Sequence, residues 1–532
     1  MRPGHNTVSR AGWARVSHAV FWAVLVLATA FQPPLQAPAP DVFHEGEYTM
    51  YGIAGGRIAS GGPAVLTHGG IDTIPARMAA ALCSMDRQIV CVRTVNASFT
   101  LVCEAFFVGI LTIIVGLGTL RAVLAGMPAM ATLVAYNGSA RSAFMLQTGT
   151  PNLRELFVLA ILLVALALYR AGDRPRPWLR LFGPLLLGIL SGLGLFWIYN
   201  RGLFGVALTT GIAGGLSWMW RDWRSLPLAA IGGLAGLACV GATGLYGSVP
   251  ANFADMLYWQ RDTVVYAMPF DIVAAAGPAM PVYAAILAWG AIVVLRDIRA
   301  GQISAALPVL TLLAVLGFYG YQVRERPFAG YAAHVLWGVS LLFALLFART
   351  AKAHSGPLRL AGLGGVALAV GIGCTLLNIR FMPPSPTFWA AQLGRNARTL
   401  FGEPPRDRDL VAPGLVAAAD AIRAHGATCT YTFSNEGLLY VLSNIPSCSR
   451  FAYPFYVGPD RQAEAIADLE QHDPGIVLWA SSTWSDAIFQ RGLTERTPVL
   501  AAWAAARFPY RLALPDGYEL RARAPFAPQF AR

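Results

Sequence analysis

Arg154-Glu-Leu-Phe-Val-Leu-Ala-Ile-Leu-Leu-Val-Ala-Leu-Ala-Leu-Tyr-Arg170 runs directly into Ala171-Gly-Asp-Arg-Pro-Arg-Pro-Trp-Leu-Arg180. The first stretch has no charge between Glu155 and Arg170, and at about 1.5 Å per helical residue it spans most of a bilayer's hydrocarbon layer. The second is crowded with arginine, the mark of a cytoplasmic connection. The same alternation continues in both directions. Of the 532 residues 56% are hydrophobic and 13% charged, where a soluble globule carries about 25% charge. The chain therefore reads as a polytopic membrane protein.

A spanning helix needs about 20 mainly apolar residues. Candidates fall at roughly 13–32, 96–120, 121–137, 154–170, 181–199, 203–220, 225–246, 278–295, 304–322, 330–348 and 359–378, which makes eleven. Counted from a cytoplasmic N-terminus bearing Arg2, Arg10 and Arg15, the connections at Arg121, Arg170–Arg180, Arg221–Arg224, Arg296–Arg299 and Arg349–Arg359 all fall inside. Dropping the short span at 121–137 would put most of these arginines outside. The formal charge of +12 is thus a topology signal rather than a nucleic-acid footprint; it is almost wholly arginine, Lys352 being the sole lysine. The apolar run that ends near Phe31 lacks a convincing cleavage site and reads as a retained signal anchor.

This topology leaves three outer pieces: loops at about 33–95 and 247–277, and a tail from about 379. The expected division is a membrane unit at 1–378 and an extracytoplasmic α/β domain at 379–532. In the first loop, Ile71–Met85 has helical apolar spacing suited to the membrane interface, or to ordinary burial. In the tail, the patterns predict helices at Val411–His425, Glu436–Leu442, Pro459–Gln471 and Ala501–Phe508. Strands are predicted at Thr428–Phe433, Gly475–Ala480 and Tyr518–Ala522, in a mainly parallel sheet.

Cys103, Cys239 and Cys374 lie in apolar spans and read as core residues. Cys429 and Cys448 are expected to pair if the tail is extracytoplasmic, and Cys83 with Cys91 is a weaker pair by the same logic. No CxxC spacing marks a metal site.

Chemistry is expected in Asp41-Val-Phe-His44-Glu45-Gly46-Glu47-Tyr48-Thr49, where three carboxylates and an imidazole follow the first span. Ionisable groups beside a bilayer are costly unless solvated, paired or working; a solvated acidic turn is the plain alternative. Any of Asp41, Glu45 and Glu47 could take a proton from a hydroxyl nucleophile, and mutual repulsion would raise one pKa. His44 could orient a carboxylate, meet a phosphate or help hold a cation. At predicted outer ends of spans stand Arg141, Arg154, Arg201, Arg324 and Arg326, against the positive-inside bias and suited to gripping phosphate, or else paired with Glu155, Glu325 or lipid headgroups. His68 and His334 are weaker candidates. Glu104, inside a span, needs a partner or a cavity.

An acidic first outer loop, Asp41-Val-Phe-His-Glu45-Gly-Glu47-Tyr48, followed by His68-Gly-Gly-Ile-Asp72, about eleven spans, outer-end arginines and a C-terminal outer domain together resemble the GT-C superfamily of membrane glycosyltransferases. Thr432-Phe-Ser-Asn-Glu436-Gly-Leu-Leu-Tyr440 resembles tails of such proteins. The resemblance implies sugar transfer from a polyprenyl-phosphate donor to a glycan, lipid or protein acceptor on the extracytoplasmic face of a bacterial cytoplasmic membrane, with a first-loop carboxylate as base. Where many relatives carry Asp-Glu this chain has His44-Glu45, which leaves the base open among Asp41, Glu45 and Glu47, with Glu45 favoured. It implies phosphate contacts from His44, His68, Arg201, Arg324, Arg326 and His334. No complete ligand set for a divalent metal is apparent, and a metal-independent reaction is expected. A lipid or glycan flippase and a non-catalytic envelope-assembly subunit are the rival readings; a flippase would more often show paired repeats with broken helices, which this sequence lacks.

Overall fold

The computed structural model describes residues 19–23, 46, 49–50, 70–116, 125–130, 153–243, 280–324, 329–353, 386–434, 436–452, 454–457, 459–480, 495 and 497–527. The spans expected at 13–32 and 121–137 lie largely outside these residues, and the one at 359–378, the loop at 247–277 and the 378/379 boundary lie wholly outside them.

Helix α1 (Gly70–Leu82) precedes α2 (Gln88–Val115), α3 (Leu156–Arg170), α4 (Pro177–Trp197), α5 (Tyr199–Trp220), α6 (Ser225–Ala242), α7 (Met280–Arg299), α8 (Ile303–Arg324) and α9 (Ala329–Ala353). Helices α2 to α9 coincide with expected spans. Among the described residues, five helices (α2, α4, α5, α6 and α8) are long and apolar enough to cross a membrane. The interior of the bundle is apolar, with Phe107, Leu111, Leu159, Leu312, Trp337 and Phe343 at 0–1% exposure. The connections are short: 171–176 between α3 and α4, 221–224 between α5 and α6, 300–302 between α7 and α8. Short links force neighbouring helices antiparallel.

The bundle therefore has two distinct ends. At one, Trp220 donates to the Gly172 carbonyl at 3.0 Å, Tyr169 meets Thr311 at 3.1 Å, and buried Asp297 binds Arg349 at 2.5 Å. The arginine-rich connections gather here. At the other, the indole of Trp197 donates to the Leu153 carbonyl at 2.7 Å. Ile89, Val90, Phe196 and Tyr199 at this second end share one hydrophobic cluster with Leu415, Phe433, Leu438 and Tyr440 of the tail. The tail thus docks on the end opposite the basic connections.

Helix α2 starts eight residues before the expected span (88 against 96). Its 28 residues extend about 42 Å, against roughly 30 Å of hydrocarbon, so its first turns rise out of any bilayer toward the tail. Helix α1 buries Thr73, Ala76 and Ala79 and exposes Met78 and Leu82, so the predicted amphipathic helix packs by its small residues and leaves larger apolar ones outside.

In the tail, α10 (Pro386–Phe401), α11 (Asp407–Leu410), α12 (Pro413–Ala424), α13 (Leu438–Ser443), α14 (Gln462–His472) and α15 (Pro498–Arg507) accompany strands β1 (Tyr431–Thr432), β2 (Ile476–Ala480), β3 (Tyr510–Ala513) and β4 (Tyr518–Ala522). The sheet order is β1-β2-β4-β3. Tyr431 pairs with Val477 in parallel, whereas β2/β4 and β3/β4 are antiparallel. This corrects the mainly parallel sheet. The reason is β3, an exposed edge strand without apolar alternation: four residues, 514–517, join it to β4, and only a hairpin closes over so short a link. Cys429 is disulfide-bonded to Cys448, and Cys83 to Cys91, as the sequence suggested. Cys103 is buried and free, as expected; Cys239 is free and exposed on α6.

Candidate functional site

The tail-facing end of the bundle holds an unusual density of buried polar groups. Arg93, Asn96, Thr100 and Glu104 recur at helical spacing on α2, and all four are at or below 5% exposure. Glu155, in the short 3-10 turn before α3, is fully buried and lies 3.7 Å from Arg201 Nε in the first turn of α5. The Arg201 guanidinium also meets the Asn200 carboxamide oxygen at 3.2 Å and sits over the Tyr319 ring, 5.8 Å from its centroid. Tyr319 in turn stacks edge-on against Trp337, centroids 5.4 Å apart. Both rings are buried, and among the described residues neither the Tyr319 hydroxyl nor the Trp337 indole N–H meets a hydrogen-bond partner. Ionisable groups buried inside a membrane bundle are costly and mark function more often than packing.

Of the predicted phosphate contacts, Arg201 is here, paired with Glu155, the partner its plainer reading named. Arg324 ends α8, five residues beyond Tyr319, and His334 lies on α9 one turn before Trp337. The backbone thus brings Arg201, Arg324 and His334 to one end of the bundle; the side chains of the last two lie outside the described residues. Asp41, His44, Glu45, Glu47, His68 and Arg326 lie outside them entirely.

Two residues of the acidic stretch are described, Gly46 and Thr49. Gly46 is buried against the tail: a Cβ there would stand 2.4 Å from the Leu438 backbone nitrogen and 2.5 Å from Gly437 Cα. No side chain fits in that gap. Thr49 and Met50 follow at 3% and 2% exposure, and Met50 joins the tail's hydrophobic cluster. Gly46 is thereby pinned to the loop ahead of α13. In that loop the Thr432 hydroxyl bonds Ser434 at 2.9 Å and accepts the Glu436 N–H at 3.3 Å. Glu436 is buried and accepts the Tyr518 hydroxyl at 3.5 Å. Burial, reinforced by the Glu436 charge, pushes the Tyr518 phenol well above its ordinary range.

Tail and bundle are also clamped beside the Cys83–Cys91 bridge. Arg87 pairs with Glu403 and Arg406 with Asp86 at 3.6 Å, while the Asp407 N–H donates to the Asp86 carbonyl at 2.7 Å. The hydrogen bond from Arg87 holds Glu403 below its ordinary range, and the Ser84 hydroxyl does the same for Asp86.

Glu436 stands in the Thr432–Tyr440 stretch already singled out in the sequence, whereas Tyr319 and Trp337 escape a reading of the sequence alone. The signal available for them was a polar-tipped aromatic inside an apolar span, which is costly to bury unpaired. Among the described residues, no group of three or more His, Cys, Asp or Glu side chains converges as a metal-ligand set.

No family model matches the sequence, and no curated protein matches it by sequence. Solved structures do match by shape. The oligosaccharyltransferase of Archaeoglobus fulgidus in its apo form aligns over 95% of this chain and 74% of its own, at 11% identity and a TM-score of 0.52. ArnT from Cupriavidus metallidurans aligns in its apo state over 97% and 98% at 11% identity with a TM-score of 0.46. The same protein bound to undecaprenyl phosphate aligns over 96% and 98% at 13% identity with a TM-score of 0.47. The likeness to the archaeal enzyme is one of fold, and together with the long apolar helices it makes the chain a multi-pass membrane protein that shares the fold of that structure.

Proposed function

We propose that this chain is a membrane glycosyltransferase that moves a sugar from a polyprenyl-phosphate donor to a glycan, lipid or protein acceptor. The observation that supports the reading is the seat of Gly46, the glycine of the acidic stretch, on Gly437 of the tail, which docks on the end of the bundle to which the backbone also brings Arg201, Arg324 and His334. Transfer needs a base at the acceptor hydroxyl and positive charge at the leaving phosphate. Glu45, with Asp41 and Glu47 beside it in sequence, is the base; it takes the hydroxyl proton as that oxygen attacks the anomeric carbon. The bond from the anomeric carbon to the phosphate oxygen breaks, and polyprenyl phosphate leaves with the electron pair. Arg201, Arg324 and Arg326 stabilise that developing charge, with His44, His68 and His334 as further contacts. The Tyr319 hydroxyl and Trp337 indole N–H are two buried donors suited to the same phosphate.

The arginine-rich connections lie opposite the tail, and the positive-inside tendency supports a tail and a reaction outside the cytoplasm. Residues 1–378 then form the membrane unit and 379–532 the extracytoplasmic domain of a bacterial cytoplasmic-membrane protein. The test is transfer of labelled sugar from a polyprenyl-phosphate donor by Glu45→Gln, Glu47→Gln and Asp41→Asn proteins. At least one is expected to lose activity, Glu45→Gln most of all; full activity in all three removes the acidic stretch from the mechanism.

A further inference from the structure

The tail fits the fold as an accessory, yet its loop ahead of α13 is the surface on which Gly46 of the acidic stretch is set. Three independent features converge there. Gly46 and Gly437 approach so closely that either a side chain on Gly46 or a shift of the loop must break the contact. Thr49 is buried and Met50 joins the tail's hydrophobic cluster. Glu436, the residue before Gly437, is 97% buried, carries its backbone N–H on Thr432 Oγ1 and accepts the Tyr518 hydroxyl. Tyr518 is itself fixed, because its ring lies against Gly414, whose N–H is held by Asp516 at 2.9 Å. A buried carboxylate that accepts a tyrosine hydroxyl, on a residue whose backbone N–H is held by a second strand, is expensive for a loop that merely covers a helix end. It is what a loop needs when its backbone must hold a neighbour to a fraction of an ångström.

On the reading that the acidic stretch is catalytic, we propose that Glu436 is a positioning residue of the active site: through the Gly437–Gly46 contact, the Glu436–Tyr518 pair fixes where the first-loop carboxylates stand relative to the phosphate-binding end of the bundle. The tail is then part of the catalytic apparatus. A misplacement near 1 Å costs about a hundredfold in rate. Glu436→Gln, which keeps the side chain's size, is expected to lower kcat for sugar transfer by at least about tenfold. Tyr518→Phe should do so by less, while the KM for the lipid-linked donor stays within about threefold because the arginines are untouched. Glu436→Asp should recover part of the loss.

Backbone amide hydrogen exchange at residues 46–50 provides a readout that needs no substrate, and it is expected to rise in both Glu436→Gln and Tyr518→Phe relative to the wild type at unchanged circular dichroism. Unchanged exchange in both variants overturns the proposal, whatever the activity. So does an active wild type whose Glu436→Gln and Tyr518→Phe forms keep its kcat. A wild type that transfers no sugar while exchange still rises counts against glycosyl transfer and leaves the positioning contact supported. Glu436→Gln failing to fold while Tyr518→Phe folds with wild-type exchange also overturns it.

Discussion

The carboxylate of Asp407 caps the helix that begins at Gln88: Oδ2 accepts the Gln88 N–H and Oδ1 the Ile89 N–H, each at 2.8 Å. A residue of the tail thus supplies acceptors that the start of a membrane helix cannot find in its own chain. The contact joins positions more than three hundred residues apart and explains why α2 starts eight residues earlier than its hydropathy predicts.

Burial pushes the Asp407 carboxyl up to about 6 against the pull of the Ile89 and Gln88 N–H groups, with Asp86 raising it further and Arg93 opposing. The unfolded chain ionises Asp near 3.9. The folded state therefore binds this proton more tightly, so the contribution is fully present below about pH 4 and is lost as pH rises through about 6. Relative to the non-titrating Asp407→Asn protein, the wild type is expected to gain up to about 3 kcal/mol as pH falls across that window. Apparent melting temperatures of both proteins in detergent, at about pH 7.5 and pH 4.5, check it; a difference that stays constant with pH contradicts the assignment.

Glu155 and Arg201 are both nearly inaccessible, so removing one partner takes from a buried charge the ion pair it makes here. Arg201→Gln and Glu155→Gln are each expected to destabilise by about 3 kcal/mol or more, and the double variant by less than the sum. Thermal unfolding of the four proteins gives the coupling, and additive effects would mean the two charges do not interact.

The Cys429–Cys448 bridge spans a sequence separation of 19. Closing a loop of that size restricts the unfolded chain by about 3 kcal/mol. Replacing both cysteines by serine should lower the stability of the tail by roughly that amount, read as faster proteolysis of the tail in the purified full-length protein. Wild-type resistance would mean the bridge contributes little.

Helices α4 and α6 meet backbone to backbone. A Cβ on Gly188 would lie 2.0 Å from the Ala229 carbonyl oxygen, and one on Gly232 would lie 2.1 Å from that of Leu185. Gly188→Ala and Gly232→Ala each force the helices apart, at about 1–3 kcal/mol. Gly211→Ala, where a Cβ meets open space, is the control that should leave the melting temperature unchanged or higher.

Much of the fold was legible because the bilayer imposes it. Backbone polar groups buried in hydrocarbon must be satisfied within a helix, so long apolar runs between arginine clusters read directly as α2 to α9. The tail's β2 and β4 were legible from apolar runs of strand length, and β3 was not, since an exposed edge strand carries no burial pattern. Of the candidate site, Arg201 was legible as a residue type, an arginine at a span end against the charge bias. Tyr319 and Trp337 were missed because an aromatic in an apolar span reads as core until its polar tip is seen to lack a partner.

The sequence by itself determined the membrane class, the helix register and the side of the bundle on which charge collects, because each depends only on the transfer of local segments between water and lipid. Only the tertiary structure decided that the Gly46 segment rests on Gly437, that Asp407 caps Gln88, and that Glu155 faces Arg201. Those contacts join residues up to several hundred positions apart, and no local pattern encodes the closeness of two glycines or the shared burial of two charges.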